Sequence, residues 1–88
     1  MKRYTVVLTR TAEKELFQLP LKVIEKIIVV LKSLKENPRP MGCKKLKGHK
    51  TLWRTRVGDY RIIYTIEDII MLVDVREIGH RKDIYDRF

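Results

Sequence analysis

The stretch WRTRVGDYRIIY, residues 53–64, joins two β-prone runs through a Gly58-Asp59 turn signal. A Gly or Asp pair between alternating runs is the pattern of a tight β-hairpin. Side chains alternate along a strand, so Arg54 and Arg56 share one face at a separation of roughly 6 to 7 Å, while Trp53, Thr55 and Val57 point the other way. That spacing suits neighbouring phosphate oxygens. Across the turn, Arg61 belongs to the set opposite Tyr60, Ile62 and Tyr64, and a tight hairpin brings it beside the first two arginines. Guanidinium groups hold a phosphate bidentately and stay charged at any working pH. The competing reading of these arginines is a solvated face paired with Asp59 or Asp74. Tyr60 and Tyr64 fall in the core-facing set, with Trp53 as a structural anchor.

Working outward, residues 69–77 read as a further strand after a Glu67-Asp68 turn, giving three consecutive strands over 52–57, 60–66 and 69–77. Upstream, MKRYTVVLT is too short in its apolar part for a secretory signal and reads as a strand over 4–8. Thr9 or Thr11 caps a helix through AEKELFQL, with Glu13 and Glu15 near the positive end of its dipole. Pro20 ends that helix or opens the next. From 21 to 35, Val23, Ile24, Ile27, Val30, Leu31 and Leu34 recur at three-and-four spacing, the stripe of a second helix, which Ile28 and Val29 widen. Asn37, Pro38 and Pro40 stop it. Gly42 and Gly48 then bound a basic surface connector, CKKLKG. The expected fold is α+β, in the order β-α-α-β-β-β, with two helices on one face of a mainly antiparallel four-stranded sheet and the other face available for function.

The chain has 88 residues, enough for one domain spanning 1–88 with one modest core. Twenty Lys and Arg against eleven Asp and Glu give a formal net charge of +9, which favours polyanionic or acidic partners without specifying which. The apolar segment IEKIIVVLKSL is interrupted by Glu25, Lys26 and Lys32, so no membrane span is expected. Cys43 is the only cysteine; an internal disulfide is excluded and a reducing cytoplasm is the simplest compartment. With two histidines and one cysteine at no closed ligand spacing, neither a metal nor another cofactor is expected.

The terminal segment GHRKDIYDRF adds chemistry to the basic face. Gly79 permits a turn out of the last strand, after which His80, Arg81, Lys82 and Tyr85 fold back over the arginines. His80 is a candidate for proton transfer near neutral pH, and Tyr85 becomes one where crowded cations stabilise its phenolate. Lys44, Lys45, Lys47, Lys50 and Lys82 are candidates for nonspecific contact with a polyanion.

Together, AEKELFQLP, KKLKG, the hairpin and GHRKDIYDRF resemble the RelE branch of the RelE/ParE toxin superfamily over nearly the whole chain. The resemblance implies a toxin of a type II toxin-antitoxin system that cuts messenger RNA in the ribosomal A site. In that case Arg54 and Arg56 match the paired basic positions, Arg61 the phosphate-binding arginine, Arg81 the tail arginine acting at the transition state, and Tyr85 the late tyrosine of stacking or proton transfer. Arg81 and Tyr85 stand closer together than in some ribosome-dependent relatives, and His80 replaces a basic residue. The implied partners are a cognate acidic antitoxin, in a heterotetramer where the two assemble in pairs, and the 70S ribosome with its message. The alternatives are a ParE-like inhibitor of DNA gyrase and a noncatalytic basic RNA-binding protein.

Overall fold

A computed structural model describes residues 3–49 and 51–87 of the chain. The elements run β1 (Thr5–Leu8), α1 (Arg10–Phe17), α2 (Leu21–Leu34), β2 (Lys44–Lys45), β3 (Leu52–Val57), β4 (Tyr60–Glu67), β5 (Leu72–His80) and α3 (Arg81–Arg87). The architecture is α+β, as expected, with a fifth strand and a third helix added. The sheet order is β1-β5-β4-β3-β2. Only the β1–β5 pair is parallel; every other pair is antiparallel.

Thr9, not Thr11, caps α1: its hydroxyl accepts the Ala12 N–H at 3.1 Å and donates to the Arg76 carbonyl at 3.1 Å. Past Leu8 the outer edge of β5 has no strand partner among the described residues, and α1 covers it, with Glu15 accepting the Ile78 N–H at 3.1 Å. Pro20 opens α2, its carbonyl accepting the Val23 and Ile24 N–H groups. The periodic stripe of α2 buries Ile27, Leu31 and Leu34. With Ala12 and Leu16 of α1 these pack on Ile62, Tyr64, Val73, Val75 and Ile78 of the sheet. The widened side of α2 stays near solvent, where Val29 is exposed. No described helix is long and apolar enough to cross a membrane.

Three boundaries differ from the sequence expectation. The connector is not all loop, because Lys44 and Lys45 pair with Arg54 and Trp53 as a two-residue edge strand; so short a pairing leaves no periodic signal. The last strand starts at Leu72 rather than Ile69, since residues 68–71 turn, with Met71 in the left-handed region at φ 53°. Nor does Gly79 turn the chain: it stays in β5 opposite Arg61, and the break comes after His80. What Gly79 provides is room, because a Cβ there would already touch Ile84 at 3.5 Å. α3 thus seats Ile84 over Gly79, on the sheet face opposite α1 and α2.

Candidate nucleic-acid site

Cross-strand register builds the site. Arg56 stands opposite Arg61 across the hairpin, and Arg54 stands between Lys44 on β2 and Ile63 on β4. Two positions along each strand return a side chain to the same face, so Arg54, Arg56 and Arg61 lie together on the face away from α1 and α2. Arg54 is only 9% exposed and Arg61 only 6%. The Nη1 of Arg61 donates to the carbonyls of Gly58 and Tyr60, each at 2.9 Å, so the turn fixes the guanidinium. Gly58 adopts φ 60° there, a conformation that glycine takes without steric cost.

The remaining donors point to an anion. Nε and Nη2 of Arg54 and Nε of Arg61 are buried and meet no acceptor among the described residues. Burial first, and then the charges of Arg56 and Arg61, push the Arg54 guanidinium below its ordinary pKa, while Tyr85 acts in the opposite sense. An arginine remains protonated even so. The outcome is a concentrated, partly desolvated positive charge that a phosphate would relieve. The competing pairing with Asp59 or Asp74 is not what the three arginines adopt: among the described ion pairs Asp59 meets Arg81 and Asp74 meets Arg76.

Residues of the tail divide. Tyr85 is 61% exposed and near enough to Arg54 to act on its charge. Arg81 begins α3, its backbone N–H donating to the Asp59 carbonyl at 2.8 Å and its Nε standing 3.8 Å from the Asp59 carboxylate. Lys82 is exposed in the first turn of the same helix. His80 is not brought to the arginines. It pairs with Tyr60 and by alternation shares the face of Tyr60 and Ile78, where its ring meets the Tyr60 ring edge-on at 5.4 Å between centroids. Proton transfer by His80 at the arginine face therefore has no geometric support.

On the other flank, Lys44 extends the arginine row as the partner of Arg54, while Lys45 sits 6.0 Å over the Trp53 ring on the opposite face. Lys47 is exposed in the turn after β2; Lys50 lies outside the described residues.

Two features escape the sequence. Arg39 stacks over Trp53 at 5.0 Å from the ring centroid and grips Asp68 through both terminal nitrogens at 3.1 and 2.8 Å, while the Tyr4 hydroxyl donates to Asp68 at 2.6 Å. This clasp ties the β2 connector to the β4–β5 turn and to the start of β1. Trp53 is thereby the structural anchor that its position implied. The second feature is Glu77, opposite Ile63 and so on the arginine face, in a hollow of about 350 Å³ shared with Thr51, Leu52, Thr65 and Arg76. No basic motif contains it, and only the strand register reveals it.

An arginine-rich sheet face under a short C-terminal helix, backed by two N-terminal helices, defines a small α+β protein with its positive charge gathered on one face. Residues 6–85 match the family model of the ParE toxin of type II toxin-antitoxin systems. The chain therefore belongs to the RelE/ParE superfamily of toxins, and within it is RelE-like. It is 31% identical over 85 residues to toxin RelG of Mycobacterium tuberculosis, covering 96% of this chain and 98% of that protein. Its fold superposes on the toxin-antitoxin complex RelBE of M. tuberculosis with a TM-score of 0.80 at 28% identity, over 90% of this chain and 99% of the matched one. The archaeal RelE–RelB complex from Pyrococcus horikoshii gives 0.79 at 27% identity, over 92% and 97%.

Proposed function

We propose that this chain, as one toxin domain over residues 1–88, is an endoribonuclease that cuts messenger RNA in the A site of the 70S ribosome. The observation that carries this reading is the pair of buried arginines, Arg54 and Arg61, with guanidine nitrogens unmatched by any described acceptor, beside Arg56 and Tyr85. In the reaction the ribose 2′-oxygen attacks the adjacent phosphorus and the bond to the 5′-oxygen breaks. The products are a 2′,3′-cyclic phosphate and a 5′-hydroxyl. One proton leaves the 2′-hydroxyl and one reaches the departing oxygen, so the products balance without water.

Negative charge builds on the phosphoryl oxygens as the new bond forms, and fixed guanidinium groups stabilise that charge more than they stabilise the starting diester. Arg61, oriented by the Gly58-Asp59 turn, and Arg54, whose burial lowers its pKa, serve this role. Arg81 serves the leaving side, Arg56 orients the strand, and Tyr85 stacks on a base or relays a proton. The ribosome supplies in-line geometry, and Lys44, Lys45, Lys47, Lys50 and Lys82 add nonspecific attraction to ribosomal RNA. Neither a metal nor a cofactor enters this scheme.

The net charge of +9 fits an acidic antitoxin as cytoplasmic partner, with electrostatic attraction speeding its association. Relatives of similar fold were crystallised as RelB-bound complexes, which supports a cognate antitoxin here and a heterotetramer if the complexes pair. The test is cleavage of a defined message with and without programmed 70S ribosomes, mapping ends. Ribosome-dependent cuts ending in cyclic phosphate are expected; an intact message with folded protein sinks the reading. The match to the ParE family model favours gyrase inhibition as the second reading, and a supercoiling assay separates the two.

A further inference from the structure

His80 ends β5 and stands immediately before α3. Its imidazole Nδ1 accepts the Lys82 backbone N–H at 3.2 Å, which is the amide that a capping side chain serves at the start of a helix. Among the described residues little else fastens α3. A seven-residue helix is not stable by itself in water; one apolar side chain, Ile84, is buried, one main-chain bond joins Arg81 to Asp59, and the Arg81–Asp59 ion pair is long and half exposed.

We propose that His80 is a positioning residue whose neutral ring caps α3 and so holds Tyr85 against the arginine face, and that a proton gained by the ring undocks the helix. The link to activity deepens the endoribonuclease reading and rests on it; the latch itself does not. A neutral imidazole has one acceptor nitrogen, whereas the imidazolium has none and presents donors at both. Protonation would therefore turn an N–H toward the Lys82 N–H and place positive charge at the end of a helix that disfavours it.

The surroundings give the charged ring somewhere to go. Beside His80 lies a hollow of about 390 Å³ lined by Glu15 of α1, Gln18 just past its end, Tyr60 of β4 and Asp83 of α3. Tyr60 meets the ring from β4, and Lys82 and Arg81 add like charge from α3, with Asp59 on the hairpin turn drawing Arg81 away. Glu15 and Asp83 are the carboxylates on the cavity side. The neutral ring thus sits on the helix amide and holds α3, whereas a charged ring would be drawn off it toward Glu15 on α1.

Amide hydrogen exchange of the full chain tests this, read as protection factors of Ile84 and Tyr85 at pH 7.5 and 5.5. The wild type is expected to lose about fivefold protection at the lower pH, the change that losing a side-chain cap makes in a docking equilibrium. His80→Asn, whose side-chain oxygen caps without titrating, should keep its protection at both values, and His80→Ala should be low at both. Equal wild-type protection at the two values overturns the proposal, as does a loss in His80→Asn parallel to the wild type. The comparison of these two proteins decides the matter even where His80→Ala fails to fold. Exchange reads the latch in a chain that cleaves no message, so failure of the latch and failure of the nuclease reading are separable.

Discussion

Arg56 and Arg61 stand directly opposite one another across the β3–β4 hairpin. Like charges in that position destabilise a sheet, and Arg54 adds a third cation on the same face with its charge largely withdrawn from water. A fold under selection for stability alone would not keep this arrangement, because removing a buried, uncompensated charge is commonly stabilising. Its presence is intelligible if the face exists to meet phosphates.

The first prediction follows from that conflict. Arg54→Met keeps the aliphatic stem and removes the guanidinium, so thermal stability should hold or rise by about 1 kcal/mol. Ribosome-dependent cleavage should fall by about 100-fold, the scale on which a preorganised charge-stabilising donor acts. Melting curves and single-turnover cleavage measured on the same preparation check it. A variant that melts early and still cleaves would make Arg54 a structural residue.

Strand alternation in the hairpin was enough to place Arg54, Arg56 and Arg61 together, because a two-residue turn leaves one plausible register and the period of two does the rest. The tail was less legible. Among its described residues GHRKDIYDRF carries one buried apolar side chain, Ile84, too few to mark a helix by period, and a glycine before a polar run looks like a turn although it serves as clearance under Ile84. His80 was misplaced as a consequence: its face follows from the strand continuing one residue past Gly79. Glu77 and the Arg39–Asp68 clasp depend on long-range register, which local sequence does not encode.

A second prediction concerns Tyr64, wholly buried, whose hydroxyl donates to the Pro38 carbonyl at 2.9 Å and stands 3.0 Å from the Thr55 hydroxyl. Tyr64→Phe leaves that carbonyl and hydroxyl without their partner and should cost about 1 to 3 kcal/mol in denaturant unfolding, with cut sites unchanged. Burial pushes the phenol up to about 12 from 10.0. The unfolded chain therefore loses this proton first, and the wild type should lose stability as pH rises from 10 toward 12. That part of the alkaline slope should vanish in Tyr64→Phe.

Acid should act at the neighbouring clasp of Arg39 and Asp68. Hydrogen bonds from Arg39 and then Tyr4 hold Asp68 down at about 2, below its ordinary 3.8. A carboxyl depressed in the folded state contributes stability above its unfolded pKa and loses it as pH falls through the folded one. Unfolding midpoints of the wild type should consequently drop between pH 4 and pH 2, while Asp68→Asn starts lower and shows a shallower drop across that window. Identical slopes in the two proteins would show that the clasp is not coupled to folding.

The last prediction separates the seat of α3 from the chemistry it carries. A Cβ at residue 79 would lie 3.5 Å from Ile84 Cδ1, an ordinary contact, so Gly79→Ala should fold and cleave close to the wild type. Branching at that carbon extends a methyl about 1.5 Å further toward Ile84, which a packed contact does not accept without displacement. Gly79→Val should therefore lift α3 and carry Tyr85 away from Arg54, while the β-branched residue suits the strand itself. The expected outcome is retained cooperative unfolding, faster proteolysis near residues 81–87, and cleavage reduced about tenfold or more, as misplacement of a catalytic group by an ångström does. Equal cleavage by the Val and Ala variants would mean that a seated α3 is not required, and that the arginines of the sheet act without the tail.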